Sequence, residues 1–194
     1  MSAYHNIPTA YKGINFRSRL EAKYAVMFDE LGWRWEYEPI DLKGWIPDFV
    51  IEGVKPIYVE VKPIFKFDES LGAEIANALA LKWEDDYPGD FPHEALIVGA
   101  SLPQNNFSCP GLGWLWEGYW SPSHVFELPA GGYDLCHDTN TYRGRVTGFY
   151  DGHAPDAPDL AAMWAKAGNA VQWQSQTSFV RPRTLWNPYA PGRR

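Results

Sequence analysis

An α/β fold, a central mixed sheet flanked by helices, is predicted by three features of this 194-residue sequence. Between Arg17 and Leu31, apolar residues recur at helical spacing (Leu20, Tyr24, Met27, Phe28, Leu31), and Gly32 stops the pattern. Short β-prone segments follow, and in the last of them Ile57, Val59 and Val61 alternate with Tyr58, Glu60 and Lys62 at period 2. The continuous apolar run Ala95–Gly99 reads as a buried strand. An Ala- and Leu-rich helix at Asp68–Trp83 lies between these last two segments and reads as a crossover.

Taken in order, residues 1–15 read as an irregular arm before the first helix. Trp33–Pro39 is an aromatic-rich strand by propensity. Pro47–Glu52 and Ile57–Pro63 are two more strands, joined by the turn Glu52-Gly53-Val54-Lys55-Pro56. After residue 100 the character changes. Residues 101–155 are rich in Gly, Pro and aromatics and read as hairpins at Gly113–Trp120, Val125–Leu128 and Tyr142–Tyr150. Ala157–Ala167 reads as a short helix and Ala170–Gln174 as a strand. From Thr177 a Pro- and Arg-bearing tail is expected to be extended. The chain therefore divides into a core (1–100), a β-rich insertion (101–155), a closing helix and strand (156–176) and a tail (177–194).

This length suits one domain with an elaboration. Ten Trp, eleven Tyr and ten Phe make the chain rich in aromatics. No apolar run approaches the roughly 20 residues that span a bilayer. The first residues show no charged-then-apolar secretory pattern. Cys109 and Cys136 are too few for a disulfide framework and lack C-x-x-C spacing. A reduced, cytoplasmic setting is the expectation. His5, His93, His124, His137 and His153 occur singly, without an H-x-x-x-H or H-E-x-x-H pattern, which argues against histidine-based zinc chemistry. No phosphate-binding G-x-x-x-x-G-K-[ST] loop is present, which excludes a P-loop motor in this chain.

The net charge of −7 is unlike the basic footprint of a simple nucleic-acid binder. Its distribution softens that objection. Residues 1–66 hold nine Lys/Arg against nine Asp/Glu, residues 67–140 one against twelve, and residues 141–194 seven against three. The middle segment reads either as a plain solvated acidic face or as a surface turned from DNA or towards a basic protein partner.

Four residues stand out between Phe16 and Pro63: Glu21 on the helix, Asp48 after Pro47, and Glu60 with Lys62. An acid and an amine side by side at the end of an otherwise apolar strand are costly unless something charged binds there. A divalent metal plus a phosphate satisfies both. Each residue also has a local reading. Asp48 follows Pro47 as turn aspartates do. Glu60 and Lys62 suit an ion pair, and Glu21 suits an i,i+4 pair with Arg17.

In order and spacing, Glu21, Pro47-Asp48 and Glu60-Val61-Lys62 resemble the PD-(D/E)XK nuclease superfamily. Phe16-Arg17-Ser18 and Trp35-Glu36-Tyr37-Glu38-Pro39 are similar to a small group of its phage and bacterial members. The resemblance covers residues 11–100, with a weaker echo at Met163–Trp173 that looks like a closing helix and strand. It implies a restriction-endonuclease-like core and metal-dependent hydrolysis of phosphodiester bonds, as a DNA endonuclease in a bacterial or phage-infected cell. It also implies Mg²⁺ or Mn²⁺ held by Asp48, Glu60 and the Val61 carbonyl. Glu21 would orient water or hold a second metal. Lys62 would position water and stabilise charge, with a pKa lowered beside the metal. Relatives of this kind often carry a zinc ribbon within the insertion. Here Cys136 and His137 are the only zinc-type ligands in that region that stand side by side, so no structural zinc is expected.

For DNA, the phosphate-contacting residues are expected to be Arg17, Arg19, Arg143, Arg145, Arg181 and Arg183. Trp114, Trp116, Tyr119 and Trp120 suit either base stacking or a local core, and a Gly-rich hairpin favours the core. Two rival readings stand beside a simple endonuclease. One is an inactive nuclease-fold protein that binds a protein partner, and the other a homodimeric nuclease resolving branched DNA. No reading involves a membrane.

Overall fold

The computed structural model of the protein describes residues 7–42, 44–83, 93–104, 111–116, 120–127 and 159–172. The described part opens with strands β1 (Thr9–Tyr11) and β2 (Ile14–Phe16), paired as an antiparallel hairpin. Lys12 and Gly13 form its turn, both with positive φ (47° and 77°), the geometry that matches the twist of two-residue hairpins. The irregular arm expected here is thus partly ordered. Three-residue strands show too little alternation to be read from sequence, and only Lys-Gly marked the turn.

Helix α1 (Arg19–Glu30) starts where Ser18 takes an extended conformation and its Oγ accepts the Glu21 N–H at 3.1 Å. Glu21 returns the contact by accepting the Ser18 hydroxyl at 2.7 Å and the Arg17 N–H at 3.0 Å, a variant of the capping box. Strands β3 (Trp35–Tyr37), β4 (Phe49–Ile51) and β5 (Ile57–Val61) follow, then helix α2 (Glu69–Trp83) and strand β6 (Glu94–Val98). Each of the first three strands is shorter than its sequence segment. Prolines at 39, 47, 56 and 63 lack the N–H that a ladder needs and bound them.

Six strands make one sheet in the order β3-β4-β5-β6, then β7 (Gly111–Trp116) and β8 (Trp120–Glu127). The β5–β6 pair is parallel and bridged by α2, as the crossover reading requires; all other neighbours are antiparallel. The mixed α/β architecture is therefore as expected. The region read as a separate set of hairpins contributes β7 and β8 to the same sheet, and Val125 lies within β8 instead of starting a new strand. At Gly113 this pairing is tight: a Cβ there would lie 2.1 Å from the Ile97 carbonyl oxygen.

Period-2 alternation sorts the core onto two faces. Phe49, Ile51, Ile57, Val59, Val61, Leu96 and Val98 pack with α1 and with helix α3 (Leu160–Ala170). Val50, Tyr58, Ala95, Ile97, Trp114 and Trp116 pack with Ile75 and Leu79 of α2. Trp114 and Trp116 are thus core residues. Helix α3 lies against α1, where the Lys23 ammonium sits 3.3 Å from the centre of the Trp164 ring. Asp159 caps α3 by accepting the Ala162 N–H at 2.9 Å, so the helix begins and ends three residues later than expected. Ala170 is consequently its last residue, not the first of a strand.

Among the described residues, no helix is long and apolar enough to cross a membrane. The Tyr142–Tyr150 hairpin, the 177–194 tail, Cys109, Cys136 and His137 lie outside the described residues, as do Tyr119, Arg143, Arg145, Arg181 and Arg183.

Candidate active site

The register of β4 on β5 builds the site. Phe49 pairs with Val59, so one step further the pleat sets Asp48 opposite Glu60, on the face shared by Val50 and Tyr58. The ladder ends there, and a side chain takes over: Asp48 Oδ2 accepts the Val61 N–H at 2.7 Å. On the other side, the Asp48 carbonyl accepts the Glu38 N–H at 3.0 Å. Glu38 has φ 46°, a left-handed conformation that costs a non-glycine residue roughly 1–3 kcal/mol.

Both carboxylates of the pair are buried, and each is held twice. Glu60 Oε2 accepts the Trp45 indole N–H at 2.8 Å, and Oε1 lies 2.6 Å from the Lys62 ammonium. Trp45 is itself fixed by a backbone bridge to Leu42 and stands edge-on to Tyr58. Asp48 Oδ1 is paired with the Arg17 guanidinium, whose Nε lies 3.0 Å from Glu38 Oε1 and 3.9 Å from Glu21 Oε2. Glu21 is anchored by the Tyr37 hydroxyl, which donates to Oε2 at 2.6 Å.

Glu21, Glu38, Asp48 and Glu60 thus share the two cations Arg17 and Lys62. The result is an excess of negative charge in this cluster, counted over the described residues. Asp48 records it. Burial first, then the Glu60 charge, pushes its carboxyl up to about 7, with Glu21 adding to the rise; the Val61 N–H and Arg17 pull against it. Burial alone draws the Lys62 pKa down, but its hydrogen bond to Glu60 and the charges of Glu60 and Asp48 outweigh that, and the net shift is upward.

The donor chemistry of the pair fits Mg²⁺ or Mn²⁺. Asp48 and Glu60 offer hard oxygens on opposed strand positions. One oxygen of each is steadied by a neutral N–H, the other by a cation on a long side chain. Among the described residues, no group of three or more His, Cys, Asp and Glu side chains is placed to share one metal ion. Glu21, expected to orient water or hold a second metal, has its oxygens bonded to the Ser18 hydroxyl, the Tyr37 hydroxyl and the Arg17 N–H. It stands beside the pair and acts on it through charge. Arg19 is exposed on the first turn of α1 and is not a member of the ion pairs described above.

Four participants were not assigned a place in the site from sequence. Arg17 was placed on a phosphate-contacting rim, yet its guanidinium lies among the acids. Tyr37 and Glu38 belong to the aromatic-acidic segment after α1, and their proximity to Glu21 needs the β3–β4 register. Trp45 lies three residues before Asp48, and no local pattern marks it as a donor to Glu60. Comparison with protein-family models, with curated proteins and with solved structures finds no match to this chain.

Proposed function

We propose that this protein is a Mg²⁺- or Mn²⁺-dependent nuclease with a restriction-endonuclease-like core, which hydrolyses phosphodiester bonds of DNA as an endonuclease. The observation that carries this reading is the opposed, buried pair Asp48–Glu60, with Lys62 on Glu60 and more acids than cations around it. A divalent ion supplies the missing positive charge, and when bound it polarises the phosphate and acidifies a water. Asp48 and Glu60 would hold it, with the Val61 carbonyl as the family resemblance implies. Trp45 and the Val61 N–H fix the two carboxylates so that neither has to reorganise. Lys62 is kept protonated by its acidic neighbours, so it serves as a charge stabiliser for phosphate rather than as a resting base. Glu21, braced by Tyr37, keeps the local field negative.

The test is incubation of supercoiled plasmid, single-stranded and branched DNA with the purified protein in Mg²⁺ or Mn²⁺, with Asp48→Ala as control. Metal-dependent nicking lost in Asp48→Ala is expected, and its absence on all three substrates would remove the enzymatic reading. A preference for branched DNA would select the junction-resolving alternative. Lys62→Ala should lower the cleavage rate by about 10²- to 10³-fold, the scale of one lost transition-state charge contact. It should also destabilise the fold at neutral pH by about 1 kcal/mol, because Glu60 stays buried without its partner while Lys62 itself is 41% exposed. A chemical-denaturation midpoint beside the cleavage rate checks both; full activity with lowered stability would mark a structural ion pair.

One observation favours a second reading. Arg17 and Lys62 already neutralise one oxygen of each carboxylate, as they would in an inactive nuclease-fold protein that binds a partner. DNA or protein binding without metal-dependent cleavage is the result that reading expects.

A further inference from the structure

We infer that Arg17 is a displaceable counter-cation of the site, which a divalent metal must evict and which then becomes free to take a substrate phosphate. This rests on the metal-dependent reading above and adds a device to it. Arg17 approaches Asp48 on Oδ1, the oxygen left over once Oδ2 has accepted the Val61 N–H. A metal ion binding Asp48 therefore competes directly with the guanidinium. Arg17 is placed for such an exchange. Its backbone N–H is tied to Glu21 at 3.0 Å, just before the α1 N-cap, while its side chain is 59% exposed. The main chain is anchored and the guanidinium has solvent to move into.

Glu38 sets the balance. Its carboxylate holds Arg17 Nε at 3.0 Å, from a backbone conformation that a glutamate adopts only at a cost. The guanidinium is thus retained over Asp48 by a second acid that is not one of the proposed ligands. Once a divalent ion occupies Asp48 and Glu60, their charge no longer attracts Arg17, and its planar fork is suited to a phosphate in the same neighbourhood. Metal and phosphate then bind with positive coupling, because each removes a partner that Arg17 offers the other's site. Coupling of this kind is reciprocal by linkage.

The experiment is a calorimetric Mn²⁺ titration at pH 7.5 of the full-length wild type, Arg17→Gln and Arg17→Lys, with folding checked by circular dichroism. Arg17→Gln removes the competing charge and should bind Mn²⁺ about tenfold more tightly, the scale of one nearby charge at a partly exposed site. Arg17→Lys keeps the charge and should stay within about threefold of the wild type on the same scale. Wild-type binding with equal or weaker affinity in Arg17→Gln would overturn the exchange while leaving the metal site in place. Equal tightening in Arg17→Lys would also overturn it, by showing that packing rather than charge is relieved. Absence of Mn²⁺ binding in all three proteins would overturn both the exchange and the nuclease reading.

Discussion

Asp48→Asn is expected to be more stable than the wild-type protein at pH 8, by about 3 kcal/mol, and to have lost cleavage. The sign follows from the carboxyl. Its pKa rises from an ordinary 3.8 to about 7 in the fold, so the folded state holds the proton more tightly than the unfolded chain. Asp48's contribution to stability is therefore fully present below pH 4, falls as pH rises through 7, and stays at its lowest value above that. A shift of about three units corresponds to roughly 4 kcal/mol at most, and loss of the Arg17 contact in the variant trims the gain. Asparagine keeps a carbonyl oxygen for the Val61 N–H and carries no charge to bury. Urea denaturation of both proteins at pH 4, 6 and 8 with a chelator present should show a gap that opens with pH. A gap of the same size at all three pH values would mean that Asp48 is not titrating in the way its surroundings require.

Phe49→Ala should cost about 3–5 kcal/mol, the usual range for deleting a fully buried ring. Phe49 is the central ring of the α1-side core, with the rings of Phe28, Trp35, Tyr37 and Phe16 centred 5.3, 5.4, 5.5 and 5.8 Å away. It is also the residue next to Asp48 and the last of β4 to pair with β5 before the site. The denaturation midpoint should fall with little change in slope. A loss below about 1 kcal/mol would mean that the aromatic cluster closes over the gap far better than cores usually do.

Much of this arrangement was legible from residue order, for reasons that differ by element. Helix α1 carried its own signals, a repeating apolar stripe and a Gly32 stop that depend only on neighbours, although it starts at Arg19, after the Ser18 cap, and not at Arg17. The same is true of β5, where the acid and the amine at its end fall on one side by simple alternation. Asp48 and Glu60 were each visible, but their meeting depends on the β4–β5 register, which no residue in either strand specifies alone. Arg17 shows the limit most clearly. Its spacing from Glu21 suggested an i,i+4 pair, and that contact forms at 3.9 Å, but the closer partners of the guanidinium are Asp48 and Glu38. That choice is made by the tertiary packing of β3 and β4 beside the α1 N-terminus. The α3 boundary moved for a local reason that was open to reading, since Asp159 is a good cap and Pro158 precedes it.

The central claim, that Asp48 and Glu60 form a site for a divalent metal, is tested most directly by Mn²⁺ titration calorimetry at pH 6 and pH 8. Running each titration in buffers of different ionisation enthalpy counts the protons released. With a carboxyl raised to about 7, binding one Mn²⁺ should release most of a proton at pH 6 and markedly less at pH 8. Both binding and release should disappear in Asp48→Asn and Glu60→Gln. Saturable Mn²⁺ binding that persists unchanged in both variants, or no binding to the wild-type protein at either pH, would contradict the account.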